Sequence, residues 1–304
     1  MTIEIEKALS ELKKLTGTDF EVSSNSAASP AETLTQLRYL ITAYQEKYNK
    51  TDFLVSLMHG PIPSYDLQER AKRLHIDPNI ARVMLLIELK SASELATATE
   101  ILKNLVDSRT KTLFVPINKN QIALLKPIKA KETNEHIRMF CHMLTDTLNM
   151  EALVSVHLSY SETFHSLLDL AEVYRENTLA LRIGKLFHSD KNVFPNNKLG
   201  VGRLIGALPL NVCEDFITEL FGTDLPEIID DDTQRIISRF IRNNQNIAET
   251  AKQLHMHRNT LILRLEKIEK STGLDLRQFE DAMTLKIAMM VMSYYQTERK
   301  QKNE

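Results

Sequence analysis

Tryptophan is absent from this 304-residue sequence, and turn-forming residues are scarce, with 8 glycines and 9 prolines. Many short strands need many turns, so this scarcity argues against an all-β architecture and favours helices. Cysteine occurs twice, at Cys141 and Cys213, without metal-type spacing. At most one bridge is possible, and the pair reads as buried thiols in a reducing compartment. Charge of one sign is also missing: 38 lysines and arginines against 40 aspartates and glutamates leave −2. No bulk charge therefore drives the molecule onto nucleic acid or a membrane. The opening MTIEIEKALSELKKL is amphipathic and carries acids, unlike the basic start and apolar run of a secretory signal. The most apolar window, Ala282 to Tyr295, contains Lys286 and is too short to span a bilayer. It reads as a buried helix or a subunit contact, and a cytoplasmic protein with no membrane partner is expected.

What is present supports real cores. Hydrophobic residues make up 43% and charged residues 26%, which excludes a wholly disordered chain. The length suits one large domain or two to three modest ones. Residues 1–50 read as helical, with a break at Ser23 to Pro30 and a second helix over about 31–48 carrying Leu34, Leu37 and Ile41. A further helix around Phe53 to Met58 is expected to stop at Gly60-Pro61-Ile62-Pro63, and residues 64–75 to form another.

The period then changes. The run Val83 to Ile87 is apolar throughout, as a strand covered on both faces would be. A helix follows with Leu95, Ala98, Leu102 and Leu105 on one stripe. TLFVPI and QIALLKP, separated by Asn118-Lys119-Asn120, read as a β-hairpin. Next come a helix with Ile137, Phe140, Leu144 and Leu148, a strand alternating Val154, Val156 and Leu158, and a long helix placing Phe164, Leu167, Ala171 and Tyr174 together. The order β-α-β-β-α-β predicts a helix-rich α+β chain: a ferredoxin-like or palm-type middle domain followed by an all-α domain. Expected boundaries are a helical segment at 1–60, the α/β domain at 61–208, a helical connector at 209–229 and a final domain at 230–304. Asp232 or Thr233 is the expected N-cap opening the last.

Charge concentrates in that last segment. Over residues 233–304, 13 lysines and arginines stand against 8 acids, a surplus of five that leaves −7 for the rest. RIISRFIRNN is followed by a polar break, then by the short helix IAETAKQL with Ile247, Ala251 and Leu254 inward. After His255-Met256-His257 comes RNTLILRLEKIEK, closed by Gly273 at a left-handed C-cap position. Leu261, Leu265 and Ile268 form its buried stripe, leaving Arg258, Asn259, Thr260, Arg264 and Lys267 outside. Two helices about a tight turn, the second with a polar, basic front, make a helix-turn-helix. Arginine pairs with guanine and asparagine with adenine in the major groove, and arginine, lysine and threonine also hold phosphate. From periodicity alone, a solvated helical hairpin fits equally well.

The stretch TAKQLHMHRNTLILRLEKIEKSTGLDL resembles the C-terminal helix-turn-helix of the PucR and CdaR (sugar-diacid regulator) families of bacterial transcription regulators. Thr250, Ala251, Leu254, His257, Arg258, Asn259, Thr260, Leu261, Arg264, Leu265, Lys267, Ile268, Glu269, Thr272 and Gly273 carry the match, while Leu263 replaces the usual tyrosine. The middle region, through LALRIG at Leu179 to Gly184 and KLGVGRLIGALP at Lys198 to Pro209, is similar to the degenerate GGDEF-like domain of these families. The resemblance implies a DNA-binding transcription regulator with His257, Arg258, Asn259, Thr260, Arg264 and Lys267 at double-stranded DNA. Paired half-sites, and a final helix too apolar for a small module to bury, imply a homodimer or higher even oligomer. A small-molecule effector is possible but unidentified, since residues 1–50 are too short for the family's larger sensor.

Other chemistry is weaker. A palm-type fold invites nucleotide chemistry, which needs paired acids and a glycine turn. The hairpin turn from Ile117 to Gln121 has neither, and Glu88 is the single acid on the first strand, so no enzyme and no cofactor is expected. Gly200, Gly202 and Gly206 suggest a phosphate loop but lack its strand and lysine, so helix packing is the expected role. His255 and His257 read as turn residues rather than zinc ligands, and Met289, Met290 and Met292 as core or a dimer seam. A different class remains open: a ligand-binding or scaffolding protein using its helix-turn-helix mainly for protein contacts.

Overall fold

The computed structural model describes residues 2–16, 18–22, 29–60, 62–106, 110–151, 153–188, 190–222 and 230–303. Most of the expected break at Ser23 to Pro30, Pro61 of the Gly60–Pro63 stop, and the end of the 209–229 connector lie outside them. The chain divides into two compact units, Met1–Leu181 with Lys191–Lys198, and Arg182–Asp190 with Leu199–Glu304.

In the first unit, α1 (Thr2–Thr16) packs against α2 (Pro30–His59) through Ala8, Leu12, Leu37 and Ile41. Ser29 opens α2 with a capping box: its Oγ accepts from the Glu32 amide at 3.3 Å, and its own amide donates to Glu32 Oε2 at 2.8 Å. The two helices expected over 31–58 are one helix of 30 residues. No glycine or proline falls between 31 and 59, so nothing terminates it before Gly60. Then α3 (Ser64–Arg73) follows.

The sheet is β1 (Arg82–Leu89), β2 (Leu113–Asn118), β3 (Gln121–Pro127), β4 (Val156–Tyr160) and β5 (Val193–Pro195), in the order β2-β3-β1-β4-β5. Its first four strands are antiparallel, with α4 (Leu95–Leu105) and α5 (Asn134–Glu151) as crossovers, which is the ferredoxin-like pattern. The alternation of β1 explains its unbroken apolar run. Met84 and Leu86 face α2 and α3 with Phe53, Leu54, Met58 and Leu67, whereas Val83, Leu85 and Ile87 face α4 and α5 with Leu102, Ile137 and Leu144. Cys141 joins the second layer; both cysteines are free and buried, and burial pushes the Cys141 thiol far above its ordinary range.

Two further elements differ from expectation. Phe164 does not begin the long helix: it exchanges backbone hydrogen bonds of 2.9 Å with Arg82, and Ser166 caps a 3-10 turn before α6 (Leu170–Phe187). The three-residue β5, parallel to β4, carries no alternation long enough to read in the sequence.

The second unit is helical: the end of α6, α7 (Val201–Ile205), α8 (Leu210–Phe221), α9 (Asp231–Arg242), α10 (Ile247–Gln253), α11 (Arg258–Thr272) and α12 (Phe279–Asn303). Residues 199–208, grouped with the middle domain by resemblance, pack here. Gly202 and Gly206 let α7 lie against Ile183 and Phe187, where an added Cβ would come within 2.6 and 2.7 Å of Ile183 carbons. Arg182 and the Tyr294 hydroxyl both donate to the Gly206 carbonyl, at 3.2 and 3.3 Å. These glycines serve helix packing. Residues of α12 fill two cores. Ala282 and Leu285 meet α9, α10 and α11; Val291 and Tyr294 meet Cys213 and Ile217 of α8. Met289, Met290 and Met292 are partly buried core residues. Much of the apolar surface of α12 is thus satisfied within the unit.

Candidate nucleic-acid interface

Helix α9 begins at Asp230, whose Oδ1 accepts from the Thr233 amide at 2.8 Å. The cap is therefore two residues before the expected Asp232; all three consecutive aspartates suit a helix N-terminus, and the first has the extended backbone a cap requires. Ile236, Ile237 and Phe240 anchor α9 in the core.

The polar break is a tight reversal. Asn244 and Gln245 both adopt left-handed backbone, with φ of 51° and 61°. Such conformations disfavour non-glycine residues, and local bonds hold them. The Gln245 amide donates to the Phe240 carbonyl at 2.9 Å, and its side chain donates to the Leu276 carbonyl at 2.7 Å. Asn246 then caps α10, accepting from the Glu249 amide at 3.0 Å. Asn243 ties the turn to α10 by donating to the Thr250 hydroxyl at 3.1 Å. Thr250 and Ala251 are buried, so the small side chains allow a close crossing.

The second turn uses His255, with φ 52°, and the Met256 amide donates back to the Ala251 carbonyl at 2.9 Å. His257 is the N-cap of α11, its Nδ1 accepting from the Asn259 amide at 3.3 Å. Leu261, Leu265 and Ile268 are buried with Phe240 and Leu285, as the stripe requires. Gly273 closes the helix in left-handed conformation, φ 74°, donating to the Glu269 carbonyl at 2.8 Å.

This frame leaves Arg258, Asn259 and Thr260 exposed on the first turn of α11, with side chains that make no hydrogen bond or ion pair among the described residues. Arg264 and Lys267 are also exposed but lie toward the start of α9. Arg264 stands 3.6 Å from Asp232 Oδ2. Hydrogen bonds from Thr233 hold the Asp230 carboxyl below its ordinary range, helped by the Lys267 and Arg264 charges. Sequence reasoning missed these acidic neighbours, which are about thirty residues away in the chain. Leu263, which stands where the resemblance has a tyrosine, is 65% exposed between Asn259 and Lys267.

The first unit offers little competing chemistry. The β2-β3 turn is built by Asn118, whose side chain accepts from the Asn120 amide at 3.0 Å and donates to Gln121 at 3.0 Å. A half-open polar cleft of about 240 Å³ lies beside the start of α5 and the end of β4. There Arg138 pairs with Glu135 at 2.6 Å, and Asn197 donates to Glu162 at 2.8 Å, so both carboxylates of the cleft are engaged. Among the described residues, no three His, Cys, Asp or Glu side chains gather to hold a metal ion, and no helix is long and apolar enough to cross a membrane.

Residues 235–291 match the PucR C-terminal helix-turn-helix domain, and residues 59–183 match the GGDEF-like domain. The carbohydrate diacid regulator of Escherichia coli strain K12 is 23% identical over 85% of this chain and 69% of its own length. The purine catabolism regulatory protein of Bacillus subtilis strain 168 is 30% identical over 44% of this chain, but that match spans only 26% of the relative. The crystal structure of a regulator of polyketide synthase expression from Bifidobacterium adolescentis aligns over 90% of this chain and 96% of that one, at 14% identity and a TM-score of 0.38. With a GGDEF-like domain ahead of a PucR-type helix-turn-helix, this chain belongs to the PucR/CdaR family of transcription regulators.

Proposed function

We propose that this protein is a cytoplasmic, sequence-specific DNA-binding regulator that reads the major groove with α11. The observation that carries this reading is the first turn of α11: Arg258, Asn259 and Thr260 project without partners among the described residues, from a helix whose buried stripe is locked in the core. His257 sets that helix start, and Lys267, with Arg264, supplies phosphate contacts beside it. We assign DNA reading to residues 230–304, and signal sensing or assembly, without catalysis, to the GGDEF-like domain that follows residue 60. Asparagine and lysine stand where a catalytic relative would need glycine and carboxylate, which supports a silent domain. One helix-turn-helix offers few base contacts, so a homodimer or higher even oligomer on paired half-sites is the proposed active form.

The test is selection from a pool of random-sequence duplexes with the full chain. The expected result is an enriched motif with two half-sites whose centres lie one helical turn or a multiple apart. Equal affinity for enriched and starting duplexes would refute the reading and favour a hairpin used for protein contacts. Metal-dependent turnover of GTP that survives repurification would overturn the catalytic silence.

A further inference from the structure

Along α11, the buried stripe of Leu261, Leu265 and Ile268 accounts for the large apolar residues on one side. Leu263 lies opposite that stripe, 65% exposed, and joins none of the hydrophobic clusters of its unit. Its neighbours one turn away along the helix are Asn259 before it and Lys267 after it, both exposed and polar. An isolated leucine on a protein surface is ordinary. A leucine set between an exposed asparagine and an exposed lysine on the polar face is a specific arrangement, because that face is where base edges are expected. On the major-groove edge of B-DNA, the apolar group presented by the bases is the C5-methyl of thymine.

We propose that Leu263 is a specificity residue that packs on a thymine C5-methyl in the major groove. This inference rests on the reading of α11 as the DNA-contacting helix. Four residues along an α-helix rise about 6 Å, and successive base pairs are about 3.4 Å apart. The thymine therefore lies within about two base pairs of the base met by Asn259. Lys267, a further turn along, holds the flanking phosphate. The contact is dispersion and desolvation alone, so it reads the methyl without any hydrogen bond.

The experiment compares two versions of one duplex enriched by the full chain from random sequence, one with thymine and one with uracil at every thymine position. Uracil keeps each donor and acceptor and removes only the methyl. Wild-type protein is expected to bind the uracil duplex about fourfold more weakly per lost contact, and about fifteenfold more weakly when two half-sites are occupied. Leu263→Ala removes an exposed side chain that supports no core, and alanine favours helix, so the variant folds. It should bind both duplexes with equal affinity, near that of wild type for uracil, with an unchanged salt slope. If wild type binds both duplexes equally, or if Leu263→Ala keeps the wild-type ratio, the methyl contact is refuted while the regulator reading stands. If no duplex is enriched at all, the regulator reading itself fails and takes this contact with it.

Discussion

Replacing Gly206 with alanine tests the packing that distinguishes a helix seat from a phosphate loop. A Cβ at Gly206 would stand 2.7 Å from Ile183 Cδ1, and a Cβ at Gly202 would stand 2.6 Å from Ile183 Cγ2. Carbon atoms settle at about 3.5–4.0 Å, and Ile183 is fully buried, so it has no open space to enter. The backbone at Gly206 is helical, φ −66° and ψ −10°, so alanine gains about 0.4–1 kcal/mol through the unfolded chain. Overpacking costs about 1–3 kcal/mol, and a net loss of about 1–2 kcal/mol is expected. Ile183→Val deletes Cδ1 but keeps Cγ2. It costs about 0.5–1.5 kcal/mol alone, yet in its background Gly206→Ala should be neutral or stabilising, a coupling of about 1–3 kcal/mol. Gly202→Ala should gain no such relief, because the atom it meets remains. Urea-dependent hydrogen exchange of peptides from α7 and α12 measures each corner of the cycle. Additive Gly206→Ala and Ile183→Val effects, or equal rescue of both alanines, would refute the close-packing argument.

In helix α11, Leu261→Ala should destabilise the second unit by about 2–5 kcal/mol, read from its denaturant midpoint, because the side chain is fully buried. Asn259→Ala should leave that midpoint unchanged and cost about 1–3 kcal/mol on the enriched duplex alone; equal losses on random duplexes would remove its base-reading role. Lys267→Ala should weaken enriched and random duplexes alike and lower the salt slope by about one unit, measured by titration at several salt concentrations. The depressed Asp230 carboxyl implies a pH effect of fixed sign. Its contribution to helix α9 is present above the ordinary carboxylate range and disappears as pH falls through the lower folded value, so Asp230→Asn should flatten the acid limb of stability against pH. An identical acid limb in the variant would show that this cap does not titrate with folding.

The architecture was legible where one physical signal dominated. The apolar run of β1 announced a strand with two covered faces, and the polar Asn118–Asn120 break placed the hairpin. The stripe Leu261, Leu265 and Ile268, with Gly273 behind it, located the start and the C-cap of α11. Legibility ended where long-range contacts choose between local options. Nothing in the residues around Asn49–Asp52 forces a break, so α2 continues, its later turns held by Phe53, Leu54 and Met58 under the sheet. Strand β5 exists because β4 offers it an edge, a condition that no three-residue pattern can express. Phe164 has helical spacing to Leu167 and Ala171, but pairing with Arg82 holds its backbone extended.

The acids at the start of α9 qualify the phosphate contacts assigned from sequence. Arg264 cannot give its full charge to a phosphate while Asp232 stands 3.6 Å away, and that carboxylate also repels the phosphate itself. The pair is about half exposed on both sides, so as a structural bond it is worth at most about 1 kcal/mol. Asp232→Asn should consequently cost only a few tenths of a kcal/mol of helix stability, through the weakened interaction with the helix dipole. On DNA it should act in the opposite direction. Freed of its partner, Arg264 can neutralise one phosphate more completely, so affinity for random duplexes at low salt should rise about two- to tenfold and the salt slope steepen by up to about 0.9. Fluorescence anisotropy across a salt series measures both quantities. Arg264→Ala in the Asp232→Asn background should cancel the gain, which separates release of the arginine from simple loss of a repelling charge. If the gain survives in that double variant, Arg264 holds no phosphate and belongs to the α9 contact alone. If affinity and slope never change, the start of α9 faces away from the duplex, and the phosphate line runs instead through Arg258 and Lys267.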